Sequence, residues 1–259
     1  MIDIHCHILP QVDDGSKSLE ESIEMAKIAQ SEGIKKIINT SHYHPDFKYK
    51  SGGELKKIVK DFNEKLKMEN IDIEVLLGNE LYFTDDLLCN FEELEFYSLN
   101  NSKYILVEFS PNNFPKNLVD IVYELKLKNY VPILAHVERY PKVQENPNII
   151  YDCINEGALI QINGSSVIGK NGKEAEKISK IFLENNMVHF IGTDAHSSTK
   201  RRPLIKDVYE YISKEYGQEK AKKIFKENQQ YILENKDIDL SDPIKYIEKQ
   251  GLFKRLFKR

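Results

Sequence analysis

The chain has 259 residues, 41% of them hydrophobic and 30% charged, and its 37 basic against 41 acidic side chains leave a formal charge of −4. This balance fits one soluble globular domain and excludes intrinsic disorder, collagen-like repeats and a disulfide-stapled mini-protein. A chain of this length buries roughly 70–75% of its unfolded surface, and the slight acidic excess argues against a dedicated nucleic-acid binder.

Taken in order, short apolar runs alternate with charged, amphipathic stretches, as in βα units around a parallel sheet. A strand over Ile2–Cys6 precedes a helix over 19–32, where Ser18 and Glu21 have capping-box spacing. Strand 36–40 precedes helix 54–68, and strand 73–78 precedes strand 104–109. Helix 118–128, strand 131–136, helix 149–156, strand 159–163, helix 174–184 and strand 188–193 follow, and the end of the chain predicts helices over 204–216, 219–228 and 243–249. Seven strands without a Pro/Gly-rich linker predict one domain over 1–259, a closed or nearly closed α/β barrel. A doubly wound sheet is the structural alternative, but no Gly-x-Gly-x-x-Gly follows the first strand. Cys6, Cys89 and Cys153 are odd in number and lack C-x-x-C spacing. Together with a start that has no signal-peptide pattern and no apolar run of about 18 residues, they place the protein in the cytoplasm.

The histidines and acids fall where the strands end. His5 and His7 close the first strand, His42 and His44 follow the second, Glu80 follows the third and Glu108 ends the fourth. His136 ends the fifth, and Asp194 and His196 follow the seventh. In a parallel barrel these ends open onto one mouth, so the groups converge. His-x-His should occur roughly 0.2 times by composition, yet it occurs twice. Residues i and i+2 of a strand share a side, which lets His5 and His7 reach one ion and turns Cys6 away from them. Imidazole mixed with carboxylate favours Mn²⁺, Fe²⁺ or Zn²⁺ over a thiolate-held structural zinc. Asp14, in Val-Asp-Asp-Gly, is either a further ligand or a turn residue.

This ordered set resembles the PHP (polymerase and histidinol phosphatase) superfamily, and most closely its bacterial capsule-type, CpsB-like tyrosine phosphatases. The resemblance runs through Met1-Ile-Asp-Ile-His-Cys-His7, Val12-Asp-Asp-Gly15, Thr40-Ser-His42, Gly78-Asn-Glu80-Leu-Tyr82, Leu106-Val-Glu108-Phe109, Ala135-His-Val-Glu-Arg-Tyr140, Gln161-Ile-Asn163 and Thr193-Asp-Ala-His196. It implies a distorted (β/α)7 TIM-like barrel and three divalent ions, Mn²⁺ first with Fe²⁺ or Zn²⁺ as alternatives. The resemblance further implies that His5, His7, Glu80 and Asp194 hold one ion, that Glu80, Glu108 and His136 hold a second, and that Asp14, His42 and His196 hold the third. The implied chemistry is phosphotyrosine hydrolysis by metal-bound hydroxide on a membrane-associated tyrosine autokinase that controls capsule or exopolysaccharide synthesis.

Arg139 is expected at the same mouth, holding phosphate. A second arginine is expected seven residues after Asp194, which selects Arg201, whereas the Arg-Pro pair common in relatives selects Arg202. Arg201 is the first choice. His44 has no family role and reads as a surface or supporting histidine. No Cys-x5-Arg loop of a cysteine phosphatase is present. Residues 251–259, Gly-Leu-Phe-Lys-Arg-Leu-Phe-Lys-Arg, form a basic amphipathic pattern suited either to weak membrane-surface contact or to a packed or solvated tail. The alternative functions are a small-molecule phosphatase such as histidinol-phosphate phosphatase, a degenerate binding module, which would need lost ligands, and a nuclease, against which the charge speaks.

Overall fold

The computed structural model describes residues 1–44, 46–84 and 86–248. The described residues form nine parallel strands, most of them Ile- and Val-rich: β1 (Ile2–Cys6), β2 (Lys36–Asn39), β3 (His42–Tyr43), β4 (Glu74–Leu76), β5 (Glu80–Tyr82), β6 (Tyr104–Glu108), β7 (Val131–Leu134), β8 (Leu159–Asn163) and β9 (Phe190–Gly192). One sheet has the order β1-β2-β4 and the other β3-β5-β6-β7-β8-β9. They are parts of one ring, because β2 runs on into β3 and β4 into β5, and because β2 pairs β4 just as β3 pairs β5. Three residues beyond β9, Ala195 forms a parallel bridge with Cys6 of β1, flanked by Asp194 N to His5 O at 2.7 Å and His7 N to Ala195 O at 2.8 Å. Counted as continuous strands the ring has seven members, a distorted α/β barrel.

Two of the expected strands are therefore broken. The runs 36–40 and 73–78 stop at Asn39 and Leu76, and His42 and Glu80 lie on short resumed strands rather than on loops. At the breaks side chains replace the ladder: Asn79 Nδ2 donates to Ser41 O at 2.8 Å, and Asn79 Oδ1 accepts from Tyr97 N at 2.9 Å. Gly78 is held so close to β2 that a Cβ would lie 2.8 Å from Ile38. β7 ends two residues before His136, which adopts a left-handed backbone.

The helices α1 (Leu19–Ser31), α2 (Gly52–Met68), α3 (Leu118–Leu127), α4 (Pro141–Glu145), α5 (Asn148–Glu156), α6 (Gly164–Val167), α7 (Lys173–Glu184), α8 (Lys206–Tyr216), α9 (Gln218–Lys222) and α10 (Asn228–Leu233) accompany the strands. The expected cap on α1 is half reciprocal. Ser18 Oγ accepts from Glu21 N at 3.2 Å, but Glu21 accepts from Lys17 N instead of Ser18 N. The expected helix 219–228 is split by a π-helical turn over Lys223–Glu227. Helix 243–249 does not form over its described residues 243–248. That stretch straps across the helices instead, with Ile244 N bonded to Asn185 O at 2.9 Å and Tyr246 N to Asn148 Oδ1 at 2.9 Å. The tail 251–259 lies outside the described residues.

The larger apolar cluster lies between the strands and α1, α2, α3, α5, α7 and α8, and it contains Cys6. A smaller one joins Ile4, Ile38, Tyr104, Leu106, Ile133 and Phe190 with Ile232 of α10, filling the ring below the site. Above it the same strands carry polar groups.

Candidate metal centre

His5 and His7 stand fully buried at the end of β1, and each has one ring nitrogen committed elsewhere. His5 Nδ1 lies 3.0 Å from Gln161 Oε1, which also accepts from His136 N at 2.9 Å while Gln161 Nε2 donates to Asn163. These bonds fix Gln161 as the acceptor, so His5 Nδ1 donates to it and the neutral ring presents its lone pair on Nε2. His7 Nδ1 donates to Asp13 Oδ2 at 2.7 Å, and His196 Nδ1 to the Asp194 carbonyl at 3.1 Å. Thus three imidazoles have Nδ1 tied back and Nε2 turned inward, the arrangement in which protein partners orient metal-ligating histidines.

Carboxylates meet these nitrogens. Glu80 Oε2 is 3.2 Å from both His5 Nε2 and His7 Nε2, and its Oε1 is 2.9 Å from His136 Nε2. His42 Nδ1 lies 2.7 Å from Glu108 Oε1, and His42 Nε2 lies 3.4 Å from Asp14 Oδ1. Asp194 Oδ1 is 3.5 Å from His5 Nε2. All nine expected residues fall into overlapping groups with ligand atoms within 4.8 Å of one another: His7, Asp14, His42 and His196; His5, His7 and Glu80; His5, His136 and Asp194; His42, Glu80 and Glu108. Glu80 falls in two of these groups, with His5 and His7 and with His42 and Glu108. His136, by contrast, groups with His5 and Asp194, and His7 also joins the Asp14 group.

Hard and borderline donors in this density fit divalent cations, because the nitrogens and oxygens otherwise crowd one another. His5 Nε2 and His7 Nε2 are only 3.4 Å apart, and His42 Nδ1 and His136 Nδ1 are buried without a hydrogen bond of acceptable geometry. Burial alone would depress the imidazoles, but Glu80 and Asp194 outweigh it at His5, which rises to about 9, and Glu80 and Glu108 at His42, which rises to about 10. His196 is pushed down to about 2 by burial and by the His7 ring stacked 3.8 Å away. His136 (φ 36°) and Asp194 (φ 52°) hold left-handed backbones, a cost of about 1 kcal/mol or more each that marks a functional constraint. Gly15 and Gly192 let the chain close around the histidines, since a Cβ would lie 2.5 Å from that of His7 or 2.7 Å from that of His5.

Arg139 and Arg201 reach the same place. Arg139 Nη1 is 3.0 Å from Asp194 Oδ2 and Arg201 Nη2 is 2.5 Å from Asp194 Oδ1, with side chains 43% and 45% exposed. Arg202 makes no ion pair among the described residues, although it lines the adjoining pocket. His44 is in none of these ligand groups and stacks instead on Tyr82 at 4.2 Å and edge-on to Phe47 at 4.5 Å.

Several contributors escape the sequence reading. Asp13 holds His7, receives His42 N at 2.8 Å and receives Gly15 N at 3.0 Å. Gln161 and Asn163 orient His5 and Asp194, the latter through Asn163 Nδ2 to Asp194 Oδ2 at 2.7 Å. Buried Glu138 anchors Asn163 N and Ser166 Oγ, its carboxyl pushed up by burial. Polar residues inside an apolar strand, Leu-Ile-Gln-Ile-Asn, are the available signal for two of these.

Residues 1–234 match the family model for capsular polysaccharide synthesis, CpsB/CapC. The chain is 34% identical to tyrosine-protein phosphatase YwqE of Bacillus subtilis over 253 residues, which covers 98% of this chain and 99% of that protein. It is also 34% identical to tyrosine-protein phosphatase CpsB of Streptococcus agalactiae, over 91% and 99%. Its fold superposes with TM-score 0.90 on a solved chain from the YwqE and CpsB pair, described as metal-dependent tyrosine phosphatases, at 34% identity over 96% and 100%. Histidinol phosphate phosphatase of Lactococcus lactis shares the fold, with TM-score 0.58 at 13% identity.

Proposed function

The chain belongs to the CpsB/CapC family of capsular polysaccharide synthesis, and from there we propose a reading of what it does and with which groups. It is a metal-dependent tyrosine phosphatase of the capsule-synthesis type. Its substrate is a phosphotyrosine-bearing protein segment, in our reading the tail of a membrane-associated tyrosine kinase, and it works in the cytoplasm. Three divalent ions, Mn²⁺ first, would be held by these nine residues, His5, His7, Glu80 and Asp194 taking one, Glu108 and His136 with Glu80 another, and Asp14, His42 and His196 the third.

Such ions supply activated water near neutral pH and neutralise charge on the phosphoryl oxygens. The protein supplies the rest. Gln161, Asp13 and the Asp194 carbonyl hold three imidazoles in the tautomer that offers Nε2 inward. Arg139 and Arg201 stand half exposed on Asp194, where their planar donors grip phosphate oxygens from the solvent side. Buried Cys6 and Cys153 have their thiols pushed upward, Cys153 to about 12, which leaves neither a thiolate nucleophile at neutral pH.

The observation that carries the reading is the convergence of oriented imidazoles and a shared carboxylate beside two half-exposed arginines, because an open arginine rim suits a phosphate carried on a protein tail. The test is turnover of a phosphotyrosine peptide, histidinol phosphate and p-nitrophenyl phosphate by one Mn²⁺-supplied preparation. The peptide is expected to be hydrolysed well above histidinol phosphate. Turnover of histidinol phosphate without the peptide would replace this reading with a small-molecule phosphatase.

A further inference from the structure

Beside the metal centre lies a pocket of about 310 Å³ whose walls are two hydrogen-bonded loops. In the first, Lys170 N bonds to Ser165 O at 2.9 Å, and Asn171 Nδ2 donates to Ser165 Oγ at 2.8 Å and to Ser166 Oγ at 2.9 Å. In the second, Ser197 Oγ accepts from Lys200 N and Arg201 N, both at 3.1 Å, and Arg201 O accepts from His196 N at 2.9 Å.

The charges across this pocket do not balance. Arg139, Lys170, Lys200, Arg201 and Arg202 line it against a single carboxylate, Asp194, whose oxygens are already bonded to Arg139, Arg201 and Asn163. Lys170, Lys200 and Arg202 have no carboxylate within 4.0 Å among the described residues, whereas on neighbouring α7 Lys177 pairs with Glu174 at 3.8 Å and Lys180 with Glu176 at 2.6 Å. Two arginines suffice for one phosphate, so the remaining cations are surplus to it. Like charges held together in a concave site attract an anion.

We propose that this pocket is a second anion subsite, which takes a carboxylate or a second phosphate carried on the same peptide close to the phosphotyrosine. The proposal rests on the phosphotyrosine reading of Arg139 and Arg201 and adds to it a selectivity for acidic surroundings. Lys170 and Lys200, one from each loop, act as specificity residues through substrate binding and leave the chemical step alone. Exposed ion pairs of this kind support roughly 2- to 5-fold each in affinity, more weakly at high salt.

The experiment measures kcat and KM of the full-length enzyme on three phosphotyrosine peptides of equal length, with neutral flanks, with Asp and Glu flanks, and with a flanking phosphoserine. Wild type is expected to favour an anionic peptide by about 5- to 20-fold through KM, at equal kcat. The double variant Lys170→Gln, Lys200→Gln is expected to lose most of that preference while its rate on the neutral peptide stays the same. A gain for both anionic peptides assigns the subsite to either group, and a gain for phosphoserine alone assigns it to phosphate. Equal KM values in wild type, or an undiminished preference in the double variant, would overturn the subsite. Turnover of p-nitrophenyl phosphate with none of the peptides would overturn the phosphotyrosine reading and the subsite with it.

Discussion

At the scale of single residues, the site is a set of nitrogens whose direction is decided by their partners. Asp13 shows this best, since it fixes the His7 tautomer and bonds His42 N. Asp13→Asn keeps the size but weakens the grip on His7, and Mn²⁺ affinity measured by calorimetry should fall about 10- to 100-fold in a folded protein. Unchanged affinity would reduce Asp13 to a turn residue. The two arginines left open by counting are distinguishable too. Arg201→Ala should raise KM for a phosphotyrosine peptide and lower kcat, whereas Arg202→Ala should leave kcat within about twofold, since only Arg201 reaches Asp194. The repeated His-x-His spacing and the acids at strand ends pointed to a metal site in the sequence, while the full set of nine candidate ligands came from the family resemblance, with Asp14 open between ligand and turn. Asp13 was not legible there, because Asp-Asp-Gly reads equally as a turn, and only the fold carries Asp13 back under His7.

Among the secondary-structure elements, strands and helices were legible to within a few residues wherever apolar periodicity was long. The misses have local causes. β2 and β4 stop short because Asn79 and the closeness of Gly78 to Ile38 replace ladder bonds, a crowding no propensity encodes. The helix read over 243–249 is a strap because Asn148 and Asn185 capture its backbone across a sequence separation of 98 residues for Tyr246. His189, just before β9, gives a prediction at this scale. It is fully buried, accepts from Ile160 N through Nδ1 at 2.9 Å, and burial drops its pKa to about 3 from an ordinary 6.5. Between those values the unfolded chain takes up a proton that the folded chain refuses, so stability is lost as pH falls. At pH 5.5 the loss from this group is about 1 kcal/mol relative to neutral pH. Urea unfolding at pH 7 and 5.5 should show that much less acid loss in His189→Asn, which keeps an acceptor there. Equal losses would mean that the buried imidazole is protonated in the fold.

For the whole molecule, the ring of seven strands brings Asp14, Glu80, Glu108 and Asp194, residues up to 180 positions apart, to one mouth. The apolar cluster below and the polar groups above divide the same strands between stability and function, which agrees with the rule that such barrels act from their carboxyl-terminal face. The closed or nearly closed barrel could be read from seven strand-sized runs; the particular Cys6–Ala195 bridge that joins its ends could not, because a bridge of that kind has no sequence signature. The most direct measurement is therefore on the assembled centre: strip the full-length protein with a chelator, add back Mn²⁺ in steps, and follow both bound metal and phosphotyrosine-peptide hydrolysis, with Glu80→Gln alongside. Activity should be absent after stripping and return as about three equivalents bind, while Glu80→Gln binds fewer and stays inactive. Full hydrolysis by the stripped protein would contradict a metal-dependent centre at these nine residues.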